Sequence, residues 1–243
     1  MRHLRLFESF DLRQSFIFYE KIHKVCRKYG IGNYNINKDG TVDVYGNVDL
    51  HDKDLKKLPV KFGKVTGYFS CFQNQLTSLD GCPNSVGDYF SCSDNQLTSL
   101  KGCPREVGHN FICRNNQLTS LEGGPEEVGG GFSCSHNKLT SLKGSPREVG
   151  GNFNCEDNQL KSLDGGPIRI GVGQIFTYPQ DLFNCIGNPI YNVYNIFGSF
   201  KEYQDSLDYN YLRGTDIVKS RFQEALEEIG KTVPKKIKGY NYI

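Results

Sequence analysis

The sequence has no run of about 18 apolar residues, the length that a helix needs to cross a membrane. Its opening segment, MRHLRLFESF, carries charges every few positions, where a secretory signal has an unbroken apolar stretch. The sequence also has no large excess of positive or negative charge, because 29 Lys and Arg and 27 Asp and Glu leave a formal net charge of +2. These absences argue against a membrane protein and against a bulk polyanion binder, and they predict a soluble, cytoplasmic protein.

Motifs that carry common chemistry are absent as well. No glycine run has the spacing of a phosphate-binding loop, and no G-x-S-x-G sequence presents a nucleophilic serine. The cysteines include no C-x-x-C pair, and the histidines include no H-x-x-x-H pair. The sequence therefore predicts no catalytic residue, no metal site and no cofactor. A catalytic site assembled across several repeats is an alternative that one sequence leaves open.

What the sequence has instead is an internal repeat with a constant interval and no insertion. Each unit reads F-x-C-x-x-N-x-L-x-x-L-x-G-x-P-x-x-V-G, and five consecutive copies agree, with Ile170 in the last valine position. The copies begin at Phe69, Phe90, Phe111, Phe132 and Phe153. A repeat of this regularity predicts a solenoid, in which each unit forms one turn and contacts its neighbours.

The repeat resembles leucine-rich repeats, whose units span about 20–29 residues. F-x-C-x-x-N-x-L stands in the place of the L-x-L-x-x-N-x-L core of that family. The resemblance implies an α+β protein in which stacked short strands form a parallel sheet on the concave side of a curved solenoid. Phe and Cys, two positions apart on each strand, are then expected to point inward. The Gly and Pro of every unit predict turns and polyproline segments on the convex side.

Two columns of the repeat are predicted to be structural. The asparagines resemble the asparagine ladder of leucine-rich repeats, whose side-chain amides bond to backbone groups that the turning chain would leave unpaired. They are Asn74, Asn95, Asn116, Asn137 and Asn158. The cysteines replace core leucines, and packing is the preferred interpretation over a metal or redox device, since Cys is readily buried. They are Cys71, Cys92, Cys113, Cys134 and Cys155.

Residues 1–47 are predicted to form an N-terminal cap made of a helix and a hairpin. Apolar residues recur at helical spacing within 11–29, and Gly30 follows as a stop signal. An Asn-Lys-Asp-Gly turn then separates two short alternating runs, a pattern typical of a β-hairpin. The repeat array is predicted over residues 48–173, with one degenerate unit that lacks the ladder asparagine before the five regular units.

Residues 174–243 are predicted to form a C-terminal helical cap with a basic tail. Asn188-Pro189 is typical of a helix start, and a short helix is expected to follow. Thr215 or Asp216 is expected to cap a longer helix that ends at Gly230. The segment 231–243 holds four Lys and no acidic residue.

The candidate binding site is the concave face, where variable residues alternate with the buried Phe and Cys. Several of these side chains are larger and more apolar than solvation requires, and aromatic residues with Arg are the usual anchors of protein interfaces. The predicted partner-binding residues are Tyr68, Ser70, Phe72, Tyr89, Ser91, Asp94, Asn110, Ile112, Arg114, His136, Asn152, Asn154 and Glu156. The alternative is that these surface positions vary without selection.

The whole chain also resembles a group of leucine-rich-repeat proteins of tailed bacteriophages. The resemblance rests on NKDGTVDVYGNVDL before the array, N-Q-L-T-S-L-x-G-x-P within it, and SLDYNYLRGTDIVKSRFQEALEEIG with GYNYI after it. It implies a viral protein acting in an infected bacterial cell, and it implies no established activity.

The resulting hypothesis is a non-enzymatic module that binds a protein partner, expected to be a host bacterial protein, through the concave face. A structural or packaged virion protein is the first alternative. Nucleic-acid binding is a less favoured alternative and would involve the basic termini, since residues 1–30 hold seven Lys and Arg against three acids. An enzyme is the last alternative, because the C-x-D sequences at Cys92 and Cys155 resemble ligase nucleophiles but lie in the inward column.

Overall fold

A computed structural model of the chain describes residues 16–171, 183–185, 187–188, 190, 212–213, 216–217, 219–237 and 240–243. Within these residues a helix, α1, covers 16–28 and a second helix, α2, covers Lys219–Glu228. The strands, in chain order, are β1 (Tyr34–Ile36), β2 (Val42–Val44), β3 (Val48–Asp49), β4 (Phe62–Val65), β5 (Phe69–Ser70), β6 (Ser85–Val86), β7 (Phe90–Ser91), β8 (Glu106–Val107), β9 (Phe111–Ile112), β10 (Glu127–Val128), β11 (Phe132–Ser133), β12 (Glu148–Val149), β13 (Phe153–Asn154), β14 (Arg169–Ile170), β15 (Phe183–Asn184), β16 (Leu212–Arg213), β17 (Asp216–Ile217) and β18 (Asn241–Tyr242).

The strands form two long sheets and one small sheet. Sheet 1 has the order β1-β2-β4-β6-β8-β10-β12-β14, sheet 2 has the order β3-β5-β7-β9-β11-β13-β15, and sheet 3 has the order β16-β17-β18. Neighbouring coils pair in parallel at the repeat interval, so that Phe132 lies opposite both Phe111 and Phe153. The chain is therefore a parallel-strand β-solenoid, which confirms the predicted repeat solenoid.

The core is a set of columns that run along the solenoid. The Phe, Cys and Leu positions of the five regular units are almost completely buried, as the alternation predicted. Successive phenylalanine rings from Phe69 to Phe183 stack with centroids 5.2–5.7 Å apart, as the spacing of paired strands requires. All nine cysteines are buried and unpaired, which places the predicted cysteine column inside the core.

The asparagine ladder is present as predicted. The Asn116 side chain donates from Nδ2 to the carbonyls of Cys92, Cys113 and Arg114 at 3.1–3.2 Å, and its Oδ1 accepts from the Leu97 N–H at 3.0 Å. Each ladder asparagine thus satisfies backbone groups of its own coil and of the preceding one. This arrangement pairs polar backbone atoms that the tight turn would otherwise bury without partners.

The segment between the repeat leucines and the next phenylalanine contains the predicted turn and, in addition, a strand. The first glycine of each Gly-x-Pro sequence lies in a turn, as predicted, and the residues around the following valine form sheet 1, where polyproline segments were expected. The glycine after each valine explains the tight packing of the coils there. A Cβ at Gly108, for example, would lie 2.1 Å from the Gly87 carbonyl oxygen of the preceding coil. A side chain at that position would therefore force the coils apart.

The N-terminal flank agrees with the prediction over the described residues. Helix α1 buries Ile22 and Cys26, and positions 11–15 of the predicted helix lie outside the described residues. Strands β1 and β2 form the predicted hairpin and pair antiparallel, so they close the first edge of sheet 1. The degenerate unit is also a coil of the array, because β3 pairs in parallel with β5. Lys53 stands in its ladder position, and its N–H donates to the Asn74 Oδ1 at 3.1 Å.

The array continues past the predicted boundary at residue 173. Strand β15 pairs in parallel with β13, and Phe183 lies opposite Phe153 after a longer step than the one that separates the regular units. Asn188 is the next ladder asparagine, because its Nδ2 donates to the carbonyls of Cys155 and Cys185. The sequence analysis interpreted Asn188 as a helix cap and missed its place in the ladder. Most of the helix expected after it lies outside the described residues.

The C-terminal region contains the predicted longer helix with a later start. Asp216–Ile217 is strand β17, and α2 begins at Lys219 and buries Phe222, Ala225 and Leu226. The basic tail returns to the fold, since β18 pairs in parallel with β17. The Tyr240 hydroxyl donates to the Lys161 carbonyl at 3.2 Å and so joins the tail to the array.

Candidate partner-binding face

The outward side of sheet 2, here called the sheet 2 face, carries the variable residues of the repeat. Its side chains alternate along each strand with the buried Phe and Cys, so equivalent positions of successive coils lie side by side. Strands about 4.8 Å apart place these side chains in rows along the solenoid. The inward columns and the asparagine ladder hold successive coils in the same register, so the spacing of these rows is fixed by the frame.

An open cleft of about 420 Å³ lies on the sheet 2 face. It brings together ten of the thirteen residues predicted from the sequence. These are Ser70, Phe72, Tyr89, Ser91, Asp94, Asn110, Ile112, Arg114, Asn152 and Asn154. Residues far apart in the chain, from Ser70 to Asn154, thus share one surface depression.

The other three predicted residues lie beside the cleft and do not line it. Tyr68 lies behind Tyr89, and the two rings stack with centroids 4.7 Å apart at 8°. His136 is exposed, and its Nδ1 lies 3.1 Å from the Asp157 carboxylate. The carboxylate of Glu156 accepts from the Asn184 Nδ2 at 3.2 Å.

The N-terminal wall of the cleft is aromatic. Besides the stack of Tyr68 and Tyr89, the Phe72 ring stacks on the ring of His51, with centroids 5.2 Å apart at 8°. His51 was missed in the sequence because its unit is degenerate, although it occupies the position one period before Phe72. Two parallel stacks therefore end at the cleft with one ring each, Tyr89 and Phe72.

The floor of the cleft is made of small polar residues around Ile112. The Ser93 hydroxyl donates to the Ile112 carbonyl at 3.3 Å and lies 3.5 Å from the Ser91 hydroxyl. Ser93 and Gly131 line the cleft but were missed in the sequence analysis. The repeat register identifies both, since Ser93 follows Phe72 and Gly131 follows Asn110 by one period.

Asp94 and His136 differ in backbone conformation from the strand residues. Both have positive φ, +54° and +53°, and so do Gln73, Asn115 and Asp157 at the same repeat position. This left-handed residue directly precedes each ladder asparagine and turns the chain away from sheet 2. Asp94 is held there by the Asn115 Nδ2, which donates to its carboxylate at 2.9 Å. The column therefore forms one rim of the face.

The surroundings of Tyr89 favour the neutral form of its phenol. Burial raises the pKa of the Tyr89 hydroxyl, and the nearby Tyr68, Asp49 and Asp88 raise it further. A phenol with a raised pKa stays neutral at physiological pH, so Tyr89 presents a hydroxyl donor beside an apolar ring.

The cysteines are poorly suited to nucleophilic chemistry. Burial raises the pKa of the thiols of Cys92, Cys113, Cys134 and Cys155 well above the usual value, and neighbouring thiols add to the effect. A thiol that stays protonated and buried is a weak nucleophile. Among the residues that the structure describes, no group of three or more His, Cys, Asp or Glu is placed to hold a metal ion. No described helix has the length and apolar character needed to cross a membrane.

The outward side of sheet 1 offers a second, chemically different surface. Lys64, Ser85, Glu106 and Glu127 line a cleft there, and glutamates occupy three successive coils up to Glu148. This surface shares the frame of the sheet 2 face, but none of the described residues that line its cleft is aromatic. It therefore provides matched control positions for experiments on the sheet 2 face.

Comparison with protein-family models, with curated proteins and with solved structures finds no match for this chain.

Proposed function

We propose that the protein is a non-enzymatic, leucine-rich-repeat-type module that binds a protein partner through the sheet 2 face. The observation that carries the proposal is the cleft, in which the variable positions of successive coils meet on an otherwise invariant frame. Its wall combines Tyr89 and Phe72, and Arg114 lies exposed beside Ile112. Aromatic residues and arginine are the side chains most enriched among binding hot spots.

The rigidity of the face favours tight binding. Residues of the sheet 2 face are held by parallel pairing and by the asparagine ladder, so few backbone degrees of freedom are lost when a partner docks. A preformed surface avoids most of the ordering cost that weakens flexible interfaces. The buried, protonated thiols favour a binding protein over a thiol enzyme.

The resemblance to tailed-bacteriophage proteins supports a host bacterial protein as the partner and the host cytoplasm as the place of action. The segments that carry this resemblance flank the array and include the N-Q-L-T-S-L-x-G-x-P part of its repeat, so they cover the frame that holds the sheet 2 face and not its variable positions. In this proposal the protein redirects or inhibits its host target. Packaging into the virion is the alternative, and proteomics of purified particles separates it from the proposal.

Affinity capture from a bacterial lysate tests the proposal. The triple variant Tyr89→Ala, Ile112→Ser, Arg114→Glu removes the main anchors of the sheet 2 face. We expect the wild type to capture one specific host protein and the triple variant to lose it, with at least about a tenfold drop in yield. The matched control is Lys64→Ala, Glu106→Ala, Glu127→Ala on sheet 1, which should capture the same protein as the wild type.

Thermal unfolding of the sheet 1 control should match that of the wild type, because its three side chains are exposed. The triple variant should stay folded at the assay temperature with a small loss of stability, because Arg114 is exposed and Tyr89 and Ile112 are only half-buried. Retention of the partner by the triple variant would place the binding surface elsewhere. Loss of the partner by the sheet 1 control alone would assign binding to the acidic surface and contradict the proposal.

A further inference from the structure

The two aromatic stacks of the sheet 2 face stop at the cleft. Tyr68 and Tyr89 stack at the spacing of neighbouring coils, so the normals of their rings run along the solenoid. Tyr89 lines the cleft and Tyr68 does not. One face of the Tyr89 ring is therefore covered by Tyr68, and the other face borders the cleft.

The space beside Tyr89 arises from the next two coils. The residue that follows Tyr89 in the column is Asn110, whose Oδ1 accepts from the Gly131 N–H at 2.7 Å and so lies against the sheet. The residue after that is Gly131, which has no side chain. At the two positions where a third and a fourth ring would continue the stack, no side chain therefore rises above the sheet as a ring would. Asn110 and Gly131 both line the cleft that results.

The remaining walls suit a planar apolar group. Phe72 ends the second stack, and the next residue of its column is the small Ser93, followed by Arg114. Arg114 is exposed, and no ion pair holds its guanidinium among the described residues. A guanidinium stacks well on an aromatic ring. Ile112 supplies an apolar floor between the column that contains Tyr89 and the column that contains Phe72.

We propose that the cleft binds an aromatic side chain from an extended, basic segment of a protein partner, with its ring stacked on Tyr89 as the third layer and Arg114 beside it. This inference rests on the proposed function and names the chemistry of the partner. The charges favour a basic peptide, because the three carboxylates of Asp94 in the lining and of Asp49 and Asp88 near Tyr89 outnumber the one guanidinium of Arg114. A nucleic acid needs several cations for its phosphates, and Arg114 is the only Lys or Arg among the described residues of the lining.

The absence of tryptophan from the chain makes a direct assay available. The probe is the synthetic peptide Gly-Lys-Ser-Trp-Ser-Lys-Gly, whose tryptophan is then the only one in the sample. Its fluorescence anisotropy and emission shift report binding without a label. Comparison peptides carry Leu in place of Trp, or Glu in place of both Lys. The Leu peptide and oligo(dT), which lack tryptophan, are measured as competitors of the Trp peptide.

Two tyrosine substitutions separate the aromatic slot from the rest of the frame. Asn110→Tyr places the protein's own ring on Tyr89, and Tyr68 and Tyr89 show that this column accepts tyrosine. The matched control Glu106→Tyr adds the same side chain at an exposed position of sheet 1, outside the sheet 2 face. Thermal unfolding shows that each variant is folded at the assay temperature, so a difference in binding between them reports the slot and not the fold.

We expect the Trp peptide to bind the wild type and Glu106→Tyr alike and to bind Asn110→Tyr at least about tenfold more weakly. The Leu and Glu peptides should also bind the wild type at least about tenfold more weakly. Equal binding to Asn110→Tyr, or no binding of the Trp peptide to any form, would overturn the inference. Displacement of the peptide by oligo(dT) would reassign the slot to a nucleobase.

The lysate capture distinguishes failure of this inference from failure of the proposed function. A host protein that is lost by the triple variant but captured equally by Asn110→Tyr would leave the binding face intact and remove only its aromatic slot. Failure of the triple variant to lose the partner would remove the proposed function itself.

Discussion

Replacing Cys113 with aspartate is expected to unfold the middle of the solenoid, whereas Cys113→Val is expected to be tolerated. Cys113 is fully buried in the column between Cys92 and Cys134, and its Sγ contacts the Ser133 carbonyl at 3.4 Å. A carboxylate there would lose its water and would face a carbonyl oxygen instead of a cation. An unpaired buried charge costs several kcal/mol or more, a large part of the roughly 5–15 kcal/mol that stabilises a typical protein.

Urea unfolding followed by circular dichroism measures this effect. The control Cys113→Val keeps an apolar side chain of similar size, so its loss should stay below about 1.5 kcal/mol. The coils on both sides of Cys113 depend on it for their stacking, so Cys113→Asp should lower the unfolding midpoint of the whole array. An unchanged midpoint for Cys113→Asp would show that the cysteine column does not face the core.

Replacing Asn116 with aspartate is expected to be almost as damaging, although the two side chains have nearly the same shape. The Asn116 Nδ2 donates to three carbonyls, those of Cys92, Cys113 and Arg114. An aspartate has no donor for them and places a negative charge against all three. Since each unsatisfied buried polar group costs about 1–3 kcal/mol, the loss at neutral pH should reach about 3 kcal/mol or more.

The pH dependence of Asn116→Asp identifies the cause. Burial and the three carbonyls raise the pKa of the introduced carboxyl above its unfolded value, so the folded state binds the proton more readily. The destabilisation relative to wild type should therefore shrink as the pH falls through that raised pKa and the carboxyl regains a donor. Asn152→Asp, an exposed control on the same sheet, should cost little at any pH. Equal losses for the two variants would contradict a structural role for the ladder.

The inward columns and the ladder could be predicted because the repeat has an unbroken period. Five copies without an insertion fix which residues are equivalent, and strand alternation then decides which of them face inward. Cys113 and Asn116 were assigned in this way from their positions alone. The hairpin before the array was predicted from its turn residues, which act locally and need no knowledge of the rest of the fold.

The seventh strand of sheet 2 was missed because its spacing breaks the period. Residues 183–190 contain F-x-C-x-x-N followed by Ile190, but Phe183 follows Phe153 at a longer interval than that between the regular units. A longer connection costs little free energy, so a coil can follow an insertion that hides it from a fixed-period search. Asn188 was then interpreted only from the proline that follows it. Asn-Pro is typical of a helix start, and the ladder position of Asn188 was not recognised.

The sequence predicted most of the residues that line the cleft, but it did not predict the shape of the cleft. Alternation identified the residues of the sheet 2 face, including Tyr89 and Arg114, which line the cleft. The depth of the cleft depends on the Asn110 side chain, which lies against Gly131. The sequence identifies this residue but does not show which rotamer its side chain adopts. Sheet 1 escaped prediction for a similar reason, since the close approach of Gly108 to the preceding coil is visible only once the coils are stacked.

Site-specific photocrosslinking in bacterial cells tests the central claim most directly, because it reports which face touches a partner without removing the other anchors. One form carries p-benzoylphenylalanine in place of Phe72 on the sheet 2 face, and a matched form carries it in place of Glu106 on sheet 1. We predict a single protein adduct of defined mass from position 72 and none from position 106. Adducts from position 106 alone, equal adducts from both positions, or no adduct from either would contradict the assignment of the sheet 2 face as the binding surface.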